Sequence, residues 1–89
     1  MTDELSPEKL AEIEQRCLRA TPSPWTSYVE GRDHTSGSSF IMTDGDDVYL
    51  TGASDEDQDF IASARQDVPA LITEIRRLQE LLQTAKIRA

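Results

Sequence analysis

The spacing of apolar residues predicts an amphipathic helix over Ser6–Ala20. Leu10, Ile13 and Cys17 recur three or four positions apart, so a helix of 3.6 residues per turn places them on one face. Charged residues occupy the opposite face. The prolines of Thr21–Pro24 cannot continue the helix, so it is expected to end there.

Between positions 25 and 52 the apolar period changes from helical to two, which predicts three antiparallel strands. We expect them at Trp25–Glu30, Ser39–Thr43 and Asp47–Thr51. Asp44-Gly45-Asp46 is typical of a tight β-hairpin turn, because glycine tolerates a positive φ. A polar loop, Gly31–Ser38, precedes this hairpin.

The remainder of the chain is predicted to form one short and one long helix. Ser54 is a suitable N-cap for the short helix, and Asp57 follows three residues later, as in a capping box. Pro69 either kinks this helix or starts a new one, and because it suits a first helical turn better than a helix interior, the two helices are predicted to meet at that point. The expected fold is one α+β domain over residues 1–89: an N-terminal helix, a three-stranded antiparallel sheet, and these two helices, with residues 1–5 disordered.

The long helix, predicted over residues 68–87, has the clearest pattern in the chain. Its apolar positions alternate between spacings of three and four, as in the a/d seam of a coiled coil: Val68, Leu71, Ile75, Leu78, Leu82 and Ala85. Ile72 and Leu81 widen this apolar stripe. We expect a second subunit to cover the part that the sheet leaves open, with oligomerisation through Leu71, Ile75, Leu78 and Leu82. The alternative is that the whole stripe packs within the chain.

Composition limits the class of protein. A chain of 89 residues with 37% hydrophobic content has room for one small core. The single cysteine, Cys17, precludes an intrachain disulfide and favours a reducing cytoplasm. We expect neither a membrane span nor a secretory signal, because the apolar runs are short and the chain starts with Met1-Thr2-Asp3-Glu4. Seventeen acidic and nine basic residues give a net charge of −8, which disfavours binding to duplex nucleic acid.

No group of residues predicts catalysis, a metal site or a bound cofactor. The only histidine, His34, would have to pair with Cys17, which lies on the apolar face of a helix where cysteine acts as a small hydrophobe. The acidic residues between Asp44 and Asp59 lack the spacing of an EF-hand loop, and they fit a turn and a helix N-terminus. We therefore expect a protein that is not an enzyme.

The polar loop before the hairpin is the strongest candidate for a ligand site. Guanidinium, imidazole and hydroxyl donors beside flexible glycines suit an anionic ligand, and here they are Arg32, His34, Thr35, Ser36 and Ser38. Trp25 or Tyr28 would stack on a base or sugar, although a one-residue shift in strand register exchanges their faces. Arg65 would reach in from the following helix. The alternative is a solvated loop whose hydroxyl groups make local turns.

Two motifs resemble a class of small uncharacterised proteins common in phages and prophages. The first is Ala20-Thr21-Pro22-Ser23-Pro24-Trp25, which in that class usually reads Ala-Thr-Pro-Gly-Pro-Trp, so Ser23 stands at the glycine position. The second is D-x-D-F-I-x-x-A-R-x-D-V-P over Asp57–Pro69, which leads into Ile75–Leu78. The resemblance implies an accessory phage-type protein in the cytoplasm of a bacterial host.

Within such proteins, small oligomers that sequester the nucleotide messengers of CBASS and Thoeris defence provide a functional analogy. By this analogy the chain is expected to be a homo-oligomeric binding protein for a small anionic ligand, with a nucleotide immune-signalling messenger as the leading candidate. The alternative function is an interaction module that binds or inhibits another protein through its acidic surface or its long helix, with no small-molecule pocket.

Overall fold

The computed structural model describes residues 5–33 and 37–88, with side chains through Lys86 at the C-terminal end. Its elements are α1 (Pro7–Arg19), β1 (Thr26–Tyr28), β2 (Phe40–Met42) and α2 (Asp55–Arg88). The predicted α+β character is confirmed. Predictions for residues 1–4 and for the loop residues His34, Thr35 and Ser36 lie outside the described residues. No helix in the described part of the chain is long and apolar enough to cross a membrane.

The first helix forms where the sequence predicts it. The Ser6 hydroxyl caps its N-terminus by accepting a hydrogen bond from the backbone N–H of Lys9 at 3.1 Å, and Pro7 occupies the first turn. On the apolar face, Leu10 is buried and Cys17 is half-buried. The helix therefore uses one face to contribute to the core.

In the residues that the structure describes, the sheet has two strands. β1 and β2 run antiparallel, with Ser27 opposite Ile41. The predicted third strand, Asp47–Thr51, is wrong: the backbone of Val48 makes two hydrogen bonds of 2.9 Å with Ile41, and this single bridge is its only ladder contact within the described residues. The chain already bends at Thr51 and Gly52, where Gly52 adopts a φ of 82°, and it leads from there into α2.

The hairpin turn also differs from the prediction. Gly45 does not adopt a positive φ. The hydroxyl of Thr43 holds the turn instead, since it accepts a hydrogen bond from the N–H of Gly45 and donates one to the carbonyl of Asp46, both at 2.9 Å. A side chain thus provides the constraint that backbone conformation was expected to provide.

A single helix of 34 residues, α2, replaces the predicted short and long helices. The capping box is confirmed: Ser54 and Asp57 each accept a hydrogen bond from the other's backbone N–H, at 3.1 and 3.2 Å. Pro69 lies inside the helix, so the prediction of a break there is wrong. A proline in a helix interior costs about 3 kcal/mol. Ala62 before Pro69 and Ile72 after it are both buried, and this packing keeps the two halves of α2 in one continuous helix.

The core is small and lies beside the first half of α2. Its buried apolar side chains are Leu10, Val29, Ile41, Ala62 and Ile72, and one polar side chain, that of Gln58, is buried with them. Every residue of α2 from Arg76 to Lys86 is exposed. At 1.5 Å per residue the helix is about 51 Å long, and it accounts for most of the 60 Å length of the molecule.

Candidate functional site

Arg32, the first predicted ligand donor, is held between two carboxylates. Its guanidinium donates to both oxygens of Asp59, at 2.8 and 3.1 Å, and its Nε donates to Asp33 at 3.0 Å. Hydrogen bonds from Arg32 and Ser27 lower the pKa of Asp59 to about 2. The Arg32 side chain therefore joins the loop to α2, and the two carboxylates already compensate its positive charge.

The Arg32–Asp59 ion pair is expected to make the stability of the fold depend on pH in the acidic range. A carboxyl whose pKa is lower in the folded state stabilises that state while it is ionised, and the contribution disappears as pH falls from about 4 toward about 2. Asp59→Asn should therefore flatten this part of the stability profile, with a modest effect because the pair is exposed. Urea denaturation at several pH values measures it. Asp67→Asn, an exposed carboxylate of the same helix, is the control, and equal flattening in both variants would contradict this role for Asp59.

Arg65 and Trp25 lie together where α1 leads into β1. The guanidinium of Arg65 donates to the carbonyl of Cys17, in the last turn of α1, at 3.0 Å and to the carbonyl of Thr21 at 2.8 Å. The indole N–H of Trp25 donates to the same Thr21 oxygen at 3.0 Å, and Gln66 accepts from the Trp25 backbone N–H at 2.8 Å. These contacts satisfy carbonyl groups at the end of a helix. Arg65 and Trp25 thus fix the junction.

Tyr28 belongs to a row of aromatic rings on the outer face of the sheet. It stacks on Phe40, with ring centroids 5.4 Å apart, and Phe40 lies 6.0 Å from Tyr49. Ile41 faces the opposite side and is buried, which settles the register that the sequence left open. Phe40 and Tyr49 are not among the residues predicted from the sequence for the site, although the period of two in their segments is a signal for such cross-strand pairs.

The five predicted ligand residues that the structure describes therefore do not converge on one site. Trp25 and Arg65 fix the α1–β1 junction, Arg32 is paired with carboxylates, and Tyr28 packs on the outer face of the sheet. Ser38 is exposed in the loop. The described residues contain no cluster of ligands suited to a metal ion.

A cleft of about 450 Å³ lies between the end of α1 and the middle of α2. Its size is within the range of small-molecule sites. Its walls include Cys17, Pro69 and Ile72, and its charged groups are Arg65 and Glu14. Hydrogen bonding to Arg76 lowers the pKa of Glu14, so a carboxylate remains ionised at the cleft. Because Arg65 already binds two carbonyl groups, this cleft is a poor site for an anion.

A partly uncovered apolar face runs along α2, and we call it the α2 stripe. Its eight residues alternate between spacings of three and four, and they are Ile61, Ala64, Val68, Leu71, Ile75, Leu78, Leu82 and Ala85. The exposed fractions of Leu71, Leu78 and Leu82 are 60%, 45% and 63%. The sequence predicts this seam only from Val68 onward, because it also predicts a helix boundary at that point, and the continuous helix extends the seam by two positions.

The stripe packs only in part within the described part of the chain. Ala64, Val68 and Ile75 are half-buried. Ala64 and Val68 line a cleft with residues of α1. The side of α2 that meets α1 and the sheet carries Gln58, Ala62 and Ile72, all buried. At 100° per residue this side lies about 120° around the helix from the centre of the stripe. Ile72, expected to widen the seam, belongs to the core. The alternative that the whole stripe is covered intramolecularly is therefore wrong for the residues described.

Comparison of the chain with protein-family models, with curated proteins and with solved structures gives no match. No relative therefore assigns a role to any residue.

Proposed function

We propose that this protein is a non-catalytic interaction module that binds another protein chain along the α2 stripe. The observation that carries the proposal is the exposure of Leu71, Leu78 and Leu82 within a four-heptad apolar stripe, on a helix whose other side is occupied by α1 and the sheet. Burying one leucine side chain contributes about 1.5–3 kcal/mol. Contiguous exposed apolar surface of this kind marks interaction sites.

The small core supports the same proposal. Five apolar side chains are buried, whereas ten large ones are exposed across the described residues. Domains of fewer than about 80 residues rarely draw more than 3–5 kcal/mol from a single core, and this chain is only slightly longer. A partner on α2 would supply burial that the chain does not provide for itself.

Nucleotide sequestration, the function favoured by the sequence, has less support from these contacts. Its two arginines, Arg32 and Arg65, are engaged by carboxylates and by backbone carbonyls. The net charge of −8 adds repulsion toward anions. Because His34, Thr35 and Ser36 lie outside the described residues, that function and the phage lineage remain predictions.

Site-specific photocrosslinking in living cells tests the proposal. A benzophenone amino acid at Leu82 should form adducts with a protein chain, because this position lies in the α2 stripe. The matched control is Thr84, which is exposed about 160° around the helix and should give none. Mass spectrometry of the adducts identifies the chain. Equal labelling at the two positions, or no adduct at Leu82, would refute an interaction through the stripe.

A further inference from the structure

The proposed function leaves the partner unidentified, and the next step rests on that function. We infer that the partner is a second copy of this chain, and that the two copies pair along the α2 stripe as a parallel two-stranded coiled coil. Three features of α2 favour this pairing: the residues at each heptad position, the charges beside them, and the space around the helix.

The seam has the composition of a two-stranded parallel pair. Its a positions are Ile61, Val68, Ile75 and Leu82, and its d positions are Ala64, Leu71, Leu78 and Ala85. β-Branched residues at a with leucine at d favour two parallel strands. Three of the four a residues are β-branched, and both residues at the central d positions are leucine. The stripe is therefore complementary to a copy of itself.

The stripe is also long enough. From Ile61 to Ala85 it spans about 36 Å of helix, and its four heptads reach the three to four that distinguish a coiled coil from an ordinary amphipathic helix. The seam is therefore long enough to form a coiled coil with a second helix.

The flanking charges distinguish the two orientations. In a parallel pair each g residue faces the e residue five positions later in the other copy, so Glu74 would face Gln79 and Leu81 would face Lys86. Neither pair opposes like charges. In an antiparallel pair that keeps all eight positions in register, g faces g, so Glu74 of one copy would face Glu74 or Asp67 of the other. The parallel orientation avoids this repulsion.

The rest of the fold leaves room for the second helix. α1 is fixed to α2 on the far side by the Glu14–Arg76 ion pair and by the hydrogen bonds of Arg65. The sheet is fixed there by Gln58. The centre of the stripe lies about 120° away from this side, so pairing through Leu71, Leu78 and Leu82 displaces none of these contacts. Toward the N-terminal end of the stripe the second helix would approach Ala64 and Val68, which are half-buried beside α1. Both α1–sheet units would then lie at the same end of the paired helices.

Disulfide trapping tests both the second copy and its orientation. In a Cys17→Ser background, Ala85→Cys introduces one thiol at a d position, where a parallel pair in register brings the two copies together. We expect most of this variant to form a disulfide-linked dimer in a glutathione buffer. Thr84→Cys, one residue away and outside the stripe, is the control and should remain largely unlinked.

Three results would overturn the inference. Equal linking of Ala85→Cys and Thr84→Cys indicates collision and not pairing. A dimer in solution without the Ala85→Cys link excludes the parallel orientation. A monomer excludes the second copy, and if Leu82 still crosslinks to a different protein in cells, the interaction function stands alone. If the chain is a monomer and Leu82 also forms no adduct in cells, both the pairing of two copies and the interaction function are refuted.

Discussion

Replacing Ile41 with alanine is expected to lower the free energy of unfolding by about 2–5 kcal/mol, the usual cost of deleting a large buried aliphatic side chain. Ile41 has no exposed surface, and it is the only large side chain of the described residues that is fully buried. It lies on the inner face of β2, and its backbone makes both hydrogen bonds to Val48. The lost volume therefore opens a cavity at the centre of the sheet.

This effect is large for so small a protein. At about 0.05–0.15 kcal/mol per residue, the whole chain has a stability of roughly 4–13 kcal/mol. Urea denaturation followed by circular dichroism, at one fixed protein concentration, measures the change. Met42→Ala is the matched control, since Met42 is the next residue and is 43% exposed on the opposite face. A similar loss in both variants would show that Ile41 is not central to the core.

Replacing Gln58 with leucine is expected to cost about 1–3 kcal/mol, the range for leaving buried polar groups without a partner. The side chain is 4% exposed. Its amide nitrogen lies 2.8 Å from the Ser27 hydroxyl, 3.1 Å from the Tyr28 carbonyl and 3.2 Å from the Phe40 carbonyl. The two amide N–H groups of Gln58 thus donate to oxygens on both β1 and β2. Leucine has a similar volume but donates no hydrogen bond to any of these oxygens.

Gln83→Leu is the control for this substitution, because Gln83 is exposed on the same helix. It should change stability by less than about 0.5 kcal/mol. Hydrogen exchange of the β1 and β2 amides adds a local measurement, and faster exchange is expected in Gln58→Leu alone. Unchanged exchange and stability would mean that the sheet is held to α2 by other contacts.

The sequence predicts the features that depend on local chemistry. Ser6 and the Ser54–Asp57 capping box act within three residues of their partners, so their roles follow from spacing. The apolar spacing along α2 likewise predicts a seam. Its exposure, however, depends on where α1 and the sheet pack, and that information lies outside the helix itself.

The predictions that failed depend on distant residues. Pro69 ends a helix by local rules, but buried neighbours on both sides keep α2 continuous. In its local sequence Arg32 resembles a hydrogen-bond donor for an anionic ligand. In the fold it pairs instead with Asp59, 27 positions later. Gln58 gave no signal at all, because a glutamine in a helix is ordinarily exposed and only the approach of the sheet buries it.

Self-association is the central claim, and sedimentation equilibrium of the purified chain tests it most directly. The claim predicts a mass of two copies, twice the 10.0 kDa of one chain, at micromolar concentration. Leu78→Asp, which places a charge at a central d position, should sediment as one chain with its helical content retained, and Thr84→Asp should remain a dimer. A wild-type chain that sediments at 10.0 kDa across this range, or a Leu78→Asp variant that still sediments as two copies, would contradict the pairing of α2 with its own copy.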